Sequence, residues 1–124
     1  PKLLKCIKNN LKFPLHGKGL TKRDFIFDED FNNAFYKVLT KGKLGKIYHF
    51  STNHYVSIKN IIKIICKFKK VKFQEIVYET SERKGKDKYY FLDCSKTSKE
   101  LKWKPQNKLI QGLYKTIKYY DNEL

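Results

Sequence analysis

All but two of the 28 basic residues in this chain are lysines; the exceptions are Arg23 and Arg83. A guanidinium is a planar fork that grips a carboxylate or phosphate through paired hydrogen bonds, whereas an ammonium is a point charge. Where lysine is used almost everywhere, each arginine marks a place where that fork matters. Arg23 stands in Thr21-Lys22-Arg23-Asp24, and Arg83 in the polar run Glu82-Arg83-Lys84-Gly85-Lys86-Asp87. Two readings are open. Each arginine could form a surface ion pair, with Asp24 or Glu82 as partner. If both point into one cleft, they make a clamp for a diphosphate.

Other reactive groups carry less. Tyr-x-x-x-Lys occurs at Tyr55/Lys59 and again at Tyr114/Lys118. A lysine one helical turn away can lower a tyrosine pKa for proton abstraction. Nine tyrosines in so lysine-rich a chain produce such pairs by chance, so neither is assigned a catalytic role. Cys6, Cys66 and Cys94 are odd in number and lack C-x-x-C spacing. They predict reduced thiols in a cytoplasmic setting rather than a disulfide framework or a zinc site. His16, His49 and His54 have no helical i, i+4 partner, so no metal is expected. The chain has no G-x-G-x-x-G, no G-x-x-x-x-G-K-[ST] and no G-x-S-x-G, hence no dinucleotide or triphosphate cradle of its own. Gly17-Lys18-Gly19 reads as a turn, and Trp103 before Pro105 as a packing anchor.

Net charge is +16 over 124 residues. Such a balance suits polyanionic ligands through a screened long-range field. A nucleic-acid reading is weakened by the scarcity of arginine and by the even spread of the lysines. Lys, Asn, Ile, Phe and Tyr are abundant together, and their shared A/T-rich codons explain the lysines without a function. Mean hydropathy is −0.66, and no apolar run approaches the ~20 residues of a membrane span. The length fits one modest domain. The chain begins at Pro1 with no charged-then-apolar leader, so it is expected to be a piece of a longer chain without a visible secretory signal.

The elements that must hold the arginines follow from local pattern. Lys2–Leu11 predicts a helix, Phe13–Gly17 an extended piece, and Lys22–Phe27 a strand. Three carboxylates, Asp28 to Asp30, open a helix whose stripe is Phe31, Ala34, Phe35, Val38 and Leu39. Lys46–Phe50 predicts a strand. Ser57 caps a helix striped by Ile58, Ile61, Ile62, Ile65 and Cys66. Phe73–Tyr78 predicts a strand, Ser81–Lys88 a loop, and Tyr89–Asp93 an extended piece. Lys96–Leu101 is a short helix. The last helix covers Lys108–Tyr120, with Ile110, Leu113, Ile117 and Tyr120 inward. Short strands alternate with helices, which gives an α/β or α+β class with about four strands.

Five motifs then line up in order. Gly17-Lys18-Gly19 followed by Arg23-Asp24-Phe25-Ile26-Phe27 is the first. Gly45-Lys46-Ile47-Tyr48-His49-Phe50 is the second, and Glu82 to Asp87 with Tyr90 and Asp93 the third. Glu100-Leu101-Lys102-Trp103-Lys104-Pro105 is the fourth, and Gly112-Leu113 through Lys118-Tyr119-Tyr120 the fifth. Together they resemble the C-terminal part of the extended short-chain dehydrogenase/reductases, nearest to the NAD-dependent nucleotide-sugar dehydratases and epimerases of the dTDP-glucose 4,6-dehydratase type. The resemblance covers essentially the whole chain.

It implies an α/β, Rossmann-type enzyme of which residues 1–124 form the single substrate-binding segment. The NAD site and the catalytic residues would lie in an N-terminal part outside this chain, so the chain alone would be inactive. In dehydratases of this type, hydride leaves the sugar C4 for NAD, water is lost from C5–C6, and hydride returns to C6. The resemblance makes Pro14, Leu15 and His16 the segment along the nucleotide base. It makes Arg23 and Arg83 the pair on the diphosphate. Lys86 stands where the family often has a histidine near the nucleotide, and Ser57 near a position where it often has asparagine. Departures are His49 for asparagine, Phe50-Ser51-Thr52 for an Ile-Gly-Gly-like turn, Lys102 for the glycine before Trp103, and Tyr119 for tryptophan. The expected partners are a nucleoside-diphosphate sugar and a second copy in a cytoplasmic homodimer, with no nucleic acid and no membrane. The alternative is a small basic RNA- or single-stranded-DNA-binding module.

Overall fold

The computed structural model describes residues 1–123. In chain order the elements are α1 (Lys2–Lys8), β1 (Phe13–His16), a 3-10 turn (Gly17–Gly19), β2 (Lys22–Asp24), α2 (Asp28–Lys41), β3 (Tyr55–Ser57), α3 (Ile58–Phe68), α4 (Phe73–Ile76), β4 (Val77–Thr80), α5 (Ser95–Leu101) and α6 (Leu109–Glu123). The four strands form two separate ladders, and β3 is one that the local pattern does not predict. β1 and β4 run parallel, in register from Phe13↔Val77 to His16↔Thr80. β2 and β3 run antiparallel, from Lys22↔Ser57 to Asp24↔Tyr55. A parallel pair needs a crossover, and the chain from β2 through α4 supplies it. Pro14 is tolerated within β1, which has one ladder partner among the described residues and so can spare an N–H.

α3 is the element read best from sequence. The Ser57 hydroxyl accepts from the Asn60 amide at 3.2 Å, the N-cap its position predicts. The isoleucine stripe lies on the parallel ladder, where Leu3, Leu15, Ile62, Cys66 and Val77 form one buried cluster. Leu15 is 1% exposed. Full burial of a leucine stabilises by about 1.5–3 kcal/mol, so this strand is firmly seated. A second cluster joins Ala34, Leu101 and Trp103. Trp103 meets the Phe50 ring edge-on at 5.0 Å and donates its indole N–H to the Asp30 carbonyl at 3.2 Å, which makes it the expected packing anchor.

Several local expectations are corrected. Phe73–Tyr78 is not one strand; it makes a single helical turn and turns extended only at Val77. Phe73 and Ile76, three apart, both pack on the first cluster, and a helical turn brings them to one side. Lys46–Phe50 joins no ladder, nor does Phe25–Phe27 at the end of the predicted Lys22–Phe27 strand. Tyr48 and Phe50 do turn inward while Ile47 is exposed, so the alternation is real but the backbone has no strand to pair with among the described residues. α1 stops at Lys8, where Asn10 takes a left-handed φ of 53°. On α2, Phe31, Phe35 and Leu39 are exposed. The face that is buried carries Asp30 and Ala34, because the chain at 103–107 clasps that side. On α6, Ile110 is exposed, and the buried positions are Gly112 and Ile117. A Cβ at Gly112 would sit 3.2 Å from the Phe27 ring, so the glycine permits this approach. Among the described residues, no helix is long and apolar enough to cross a membrane.

Candidate functional site

The carboxyl ends of β1 and β4 lie side by side, with His16 opposite Thr80. The space beyond the carboxyl ends of parallel strands is where α/β folds bind ligands, because the connecting loops diverge there. Two loops leave this edge. One is Gly17-Lys18-Gly19, with successive φ values of 55°, 55° and 65°. The other is the polar run from Ser81 to Lys88. They close on each other because Gly17 lacks a side chain: a Cβ there would lie 1.9 Å from the Glu82 carboxylate. Gly19 lets the turn press on α3, since its Cβ would meet the Lys59 amide nitrogen at 2.9 Å and Leu15 Cδ1 at 2.7 Å.

A chain of polar contacts crosses this edge. His16 Nδ1 lies 2.7 Å from Thr80 Oγ1 and 3.1 Å from the Ser81 carbonyl. Arg83 Nη2 meets His16 Nε2 at 3.1 Å. The Arg83 amide donates to Glu82 Oε1 at 3.1 Å, and Lys86 Nζ stands 3.7 Å from the same oxygen. The far end of the loop is pinned to β2. Arg23 donates to the Asp87 carbonyl at 2.8 Å and to the Lys22 carbonyl at 2.7 Å, and the Lys22 amide donates to the Lys88 carbonyl at 3.1 Å. Arg23 and Arg83 therefore bracket one loop.

Neither arginine pairs with the carboxylate beside it in sequence. Asp24 accepts from the hydroxyls of Ser51 and Thr52 and from the Thr52 amide. Glu82 faces Lys86 rather than the Arg83 guanidinium. Among the described residues no carboxylate forms an ion pair with either guanidinium. A guanidinium without a carboxylate partner keeps donors for an anion with several acceptor oxygens; Arg23 stands on β2 at one end of the loop and Arg83 within it.

The remaining sequence-predicted residues divide. Pro14 is half-buried on β1, beside His16. Leu15 spends its side chain in the core, so only its main chain faces the edge. Lys86 belongs to the loop through its Glu82 contact. Ser57 uses its hydroxyl as the α3 cap and lies opposite Lys22 in the β2–β3 ladder, so it supports Arg23's strand. Both Tyr-x-x-x-Lys pairs are otherwise engaged: Tyr55 Oη accepts from the Leu92 amide at 3.2 Å, and Lys118 lies over the Tyr114 ring at 4.7 Å.

Sequence reasoning missed three contributors. Asp24 ties β2 to the chain at 51–52 and so fixes the strand that carries Arg23; its place in Arg-Asp was the available signal. Thr80 binds the His16 ring, and only the strand register reveals that. Asp30 was read as a dipole partner, but it is buried and accepts from the amides of Gln106 at 2.9 Å and Asn107 at 3.0 Å.

A cleft of about 890 Å³ lies elsewhere, between α3 and the chain at 105–110. Its lining includes Phe25, Val56, Ile64, Lys63 and Lys108; none of the seven sequence-predicted residues lines it. Burial pushes the Cys66 and Cys94 thiols up, which makes them poor nucleophiles. Hydrogen bonds from Ser95 hold the Asp93 carboxyl below the usual carboxylate range. Among the described residues no group of three His, Cys, Asp or Glu could hold a metal ion. The residues present do not fit a dinucleotide either. The one close glycine pair leads into β2 rather than into a helix N-terminus.

Comparison with known proteins gives the family and the fold. The model of the family described as GDP-mannose 4,6 dehydratase matches residues 1–116. The dTDP-glucose 4,6-dehydratase of Haemophilus influenzae is 37% identical over 117 residues, covering 86% of this chain and 35% of the relative. The dTDP-glucose 4,6-dehydratase of Streptomyces venezuelae, solved with NAD bound, superposes with a TM-score of 0.92 at 26% identity, over 98% of this chain and 38% of that one. The UDP-glucose 4-epimerase of Thermotoga maritima, solved with UDP-glucose, shares the fold, with a TM-score of 0.89 at 20% identity over 98% of this chain and 38% of that one. The chain spans about a third of the length of the curated relatives it matches. The matched family and these relatives are dehydratases and epimerases, and they lend no support to a nucleic-acid-binding module.

Proposed function

This chain belongs to the GDP-mannose 4,6 dehydratase family, and from that premise we propose that it forms the nucleotide-sugar-binding part of an NAD-dependent nucleotide-sugar dehydratase of the dTDP-glucose 4,6-dehydratase type. One observation carries the reading. Arg23 and Arg83, the chain's two guanidinium groups, bracket one loop at the carboxyl ends of a parallel strand pair, and no carboxylate among the described residues neutralises them. A diphosphate offers the matching oxygens. Lys86 adds a point charge, and Pro14 with His16 offers a flat flank for the base. Residues 1–124 act as a single binding segment, with NAD and the reacting groups carried outside them. The three free cysteines agree with a cytoplasmic setting, and a homodimer is the expected assembly.

Isothermal titration of the protein with dTDP, UDP and GDP tests the reading. At least one nucleoside diphosphate should bind, the monophosphate more weakly, and Arg83→Lys should weaken the diphosphate by about tenfold or more. Absence of binding by all three, or equal binding of mono- and diphosphate, sinks the proposal. Product analysis on the polypeptide that carries NAD separates the chemistries, because dehydration leaves a C6 methyl group visible by proton NMR and epimerisation does not.

A further inference from the structure

We infer that His16 is a positioning residue for Arg83, its neutral ring accepting from the guanidinium at Nε2 while Thr80 and Ser81 hold the proton on Nδ1. The inference rests on the diphosphate-clamp reading and goes beyond it. A guanidinium has donors only, so the 3.1 Å contact with Nε2 requires a lone pair there. A neutral imidazole with a free Nε2 carries its proton on Nδ1. That side faces acceptors: Thr80 Oγ1 at 2.7 Å and the Ser81 carbonyl at 3.1 Å. Thr80 in turn directs its hydroxyl toward the Ser81 carbonyl at 3.4 Å.

The relay is anchored in the sheet. His16 and Thr80 are register partners at the end of the β1–β4 ladder, so the ring's orientation is set by backbone pairing. Arg83 has no such support; it sits in an exposed loop next to Gly85, whose φ is 72°. One guanidinium donor spent on His16 fixes the fork and leaves its other donors free for phosphate oxygens. A lysine at 83 could not be aimed in the same planar way.

A histidine that bound phosphate directly would need Nε2 as a donor. Here Nε2 accepts from Arg83, so the ring acts on the anion through the arginine.

Two measurements test this. The first needs no ligand. Imidazole ¹⁵N NMR of the protein at about pH 8 should show His16 protonated on Nδ1, and Arg83→Gln should perturb the Nε2 resonance. An Nε2–H tautomer overturns the inference even if nucleotide binds. The second is dTDP and UDP affinity, with the thermal midpoint of each variant read alongside. His16→Phe, which keeps a flat ring without an acceptor, should lose about tenfold. His16→Gln, which keeps an acceptor but gives up the flat ring, should lose less than His16→Phe does. Full affinity in His16→Phe, or a loss in His16→Gln as large as that in His16→Phe, overturns the inference. An Nδ1–H tautomer in a protein that binds no nucleoside diphosphate supports the His16–Arg83 contact and removes the nucleotide reading alone.

Discussion

Replacing Lys102 by glycine should stabilise the protein. Lys102 ends α5 in the left-handed region, at φ 49° and ψ 38°. The five-motif resemblance puts a glycine here, and the geometry explains the preference. A side chain in the left-handed region costs about 1–2 kcal/mol, because Cβ crowds the following carbonyl. Glycine removes that cost but adds unfolded-state entropy worth about 0.4–1 kcal/mol. The difference leaves a gain of about 0.5–1 kcal/mol. No contact should be lost with the side chain, because the interaction at this residue, Lys37 Nζ to the Lys102 carbonyl at 2.6 Å, is made by main chain. At about 2.1 cal/mol/K per residue, unfolding 124 residues carries about 260 cal/mol/K, so the midpoint should rise by about 2–4 °C. Circular dichroism melts, with urea titrations at constant slope, measure both quantities. An unchanged or lower midpoint would refute the reasoning, because it would mean that the lysine conformation carries no net strain. Lys102→Ala is the control: it removes the same side chain, keeps Cβ, and should not stabilise.

Four further outcomes follow. Arg23→Lys should release the Asp87 carbonyl and weaken nucleoside-diphosphate binding by about tenfold, with little change in melting; hydrogen exchange at 81–88 should accelerate. Gly19→Ala combines left-handed strain with a collision against the Lys59 amide and Leu15, and should cost about 2–4 kcal/mol by urea titration. Asp30→Ala leaves the Gln106 and Asn107 amides without their acceptor, and should cost about 2–4 kcal/mol, detaching the chain at 103–107 from α2. Asp93 has a folded pKa below its unfolded value. Its contribution is therefore present above the ordinary carboxylate range and lost as pH falls through the lowered value; Asp93→Asn should flatten that acid limb in a pH–stability profile.

What the sequence revealed and what it hid divide by range. α3 was legible because its causes are local: a serine cap three residues from its amide, and an isoleucine stripe at helical spacing. α2 was only half legible. Its apolar stripe was correctly spaced, but the face that packs was chosen by Trp103 and the amides of 106 and 107, more than 70 residues away. Phe73 to Ile76 shows the same failure at short range. Its residues suit a strand, yet two side chains three apart share one core, and the backbone coils to deliver both.

The candidate site repeats the division. Residue type singled out Arg23 and Arg83, because a fork among point charges is conspicuous without any structure. The loop that links them was not legible, since it depends on a close approach over Gly17 and on a parallel ladder whose partners are more than 60 residues apart. Leu15 and Ser57 show the converse. Position along a motif put them at the ligand, whereas burial and capping account for their side chains. The residue that joins the two levels is His16. The resemblance puts it on the segment along the nucleotide base, and in the ladder its ring nitrogens face Thr80 on one side and Arg83 on the other. The arginine supplies the charge, but the sheet, acting through one imidazole, decides where that charge points. A lysine-rich surface can draw any polyanion toward the protein; only an oriented guanidinium distinguishes a diphosphate from the rest.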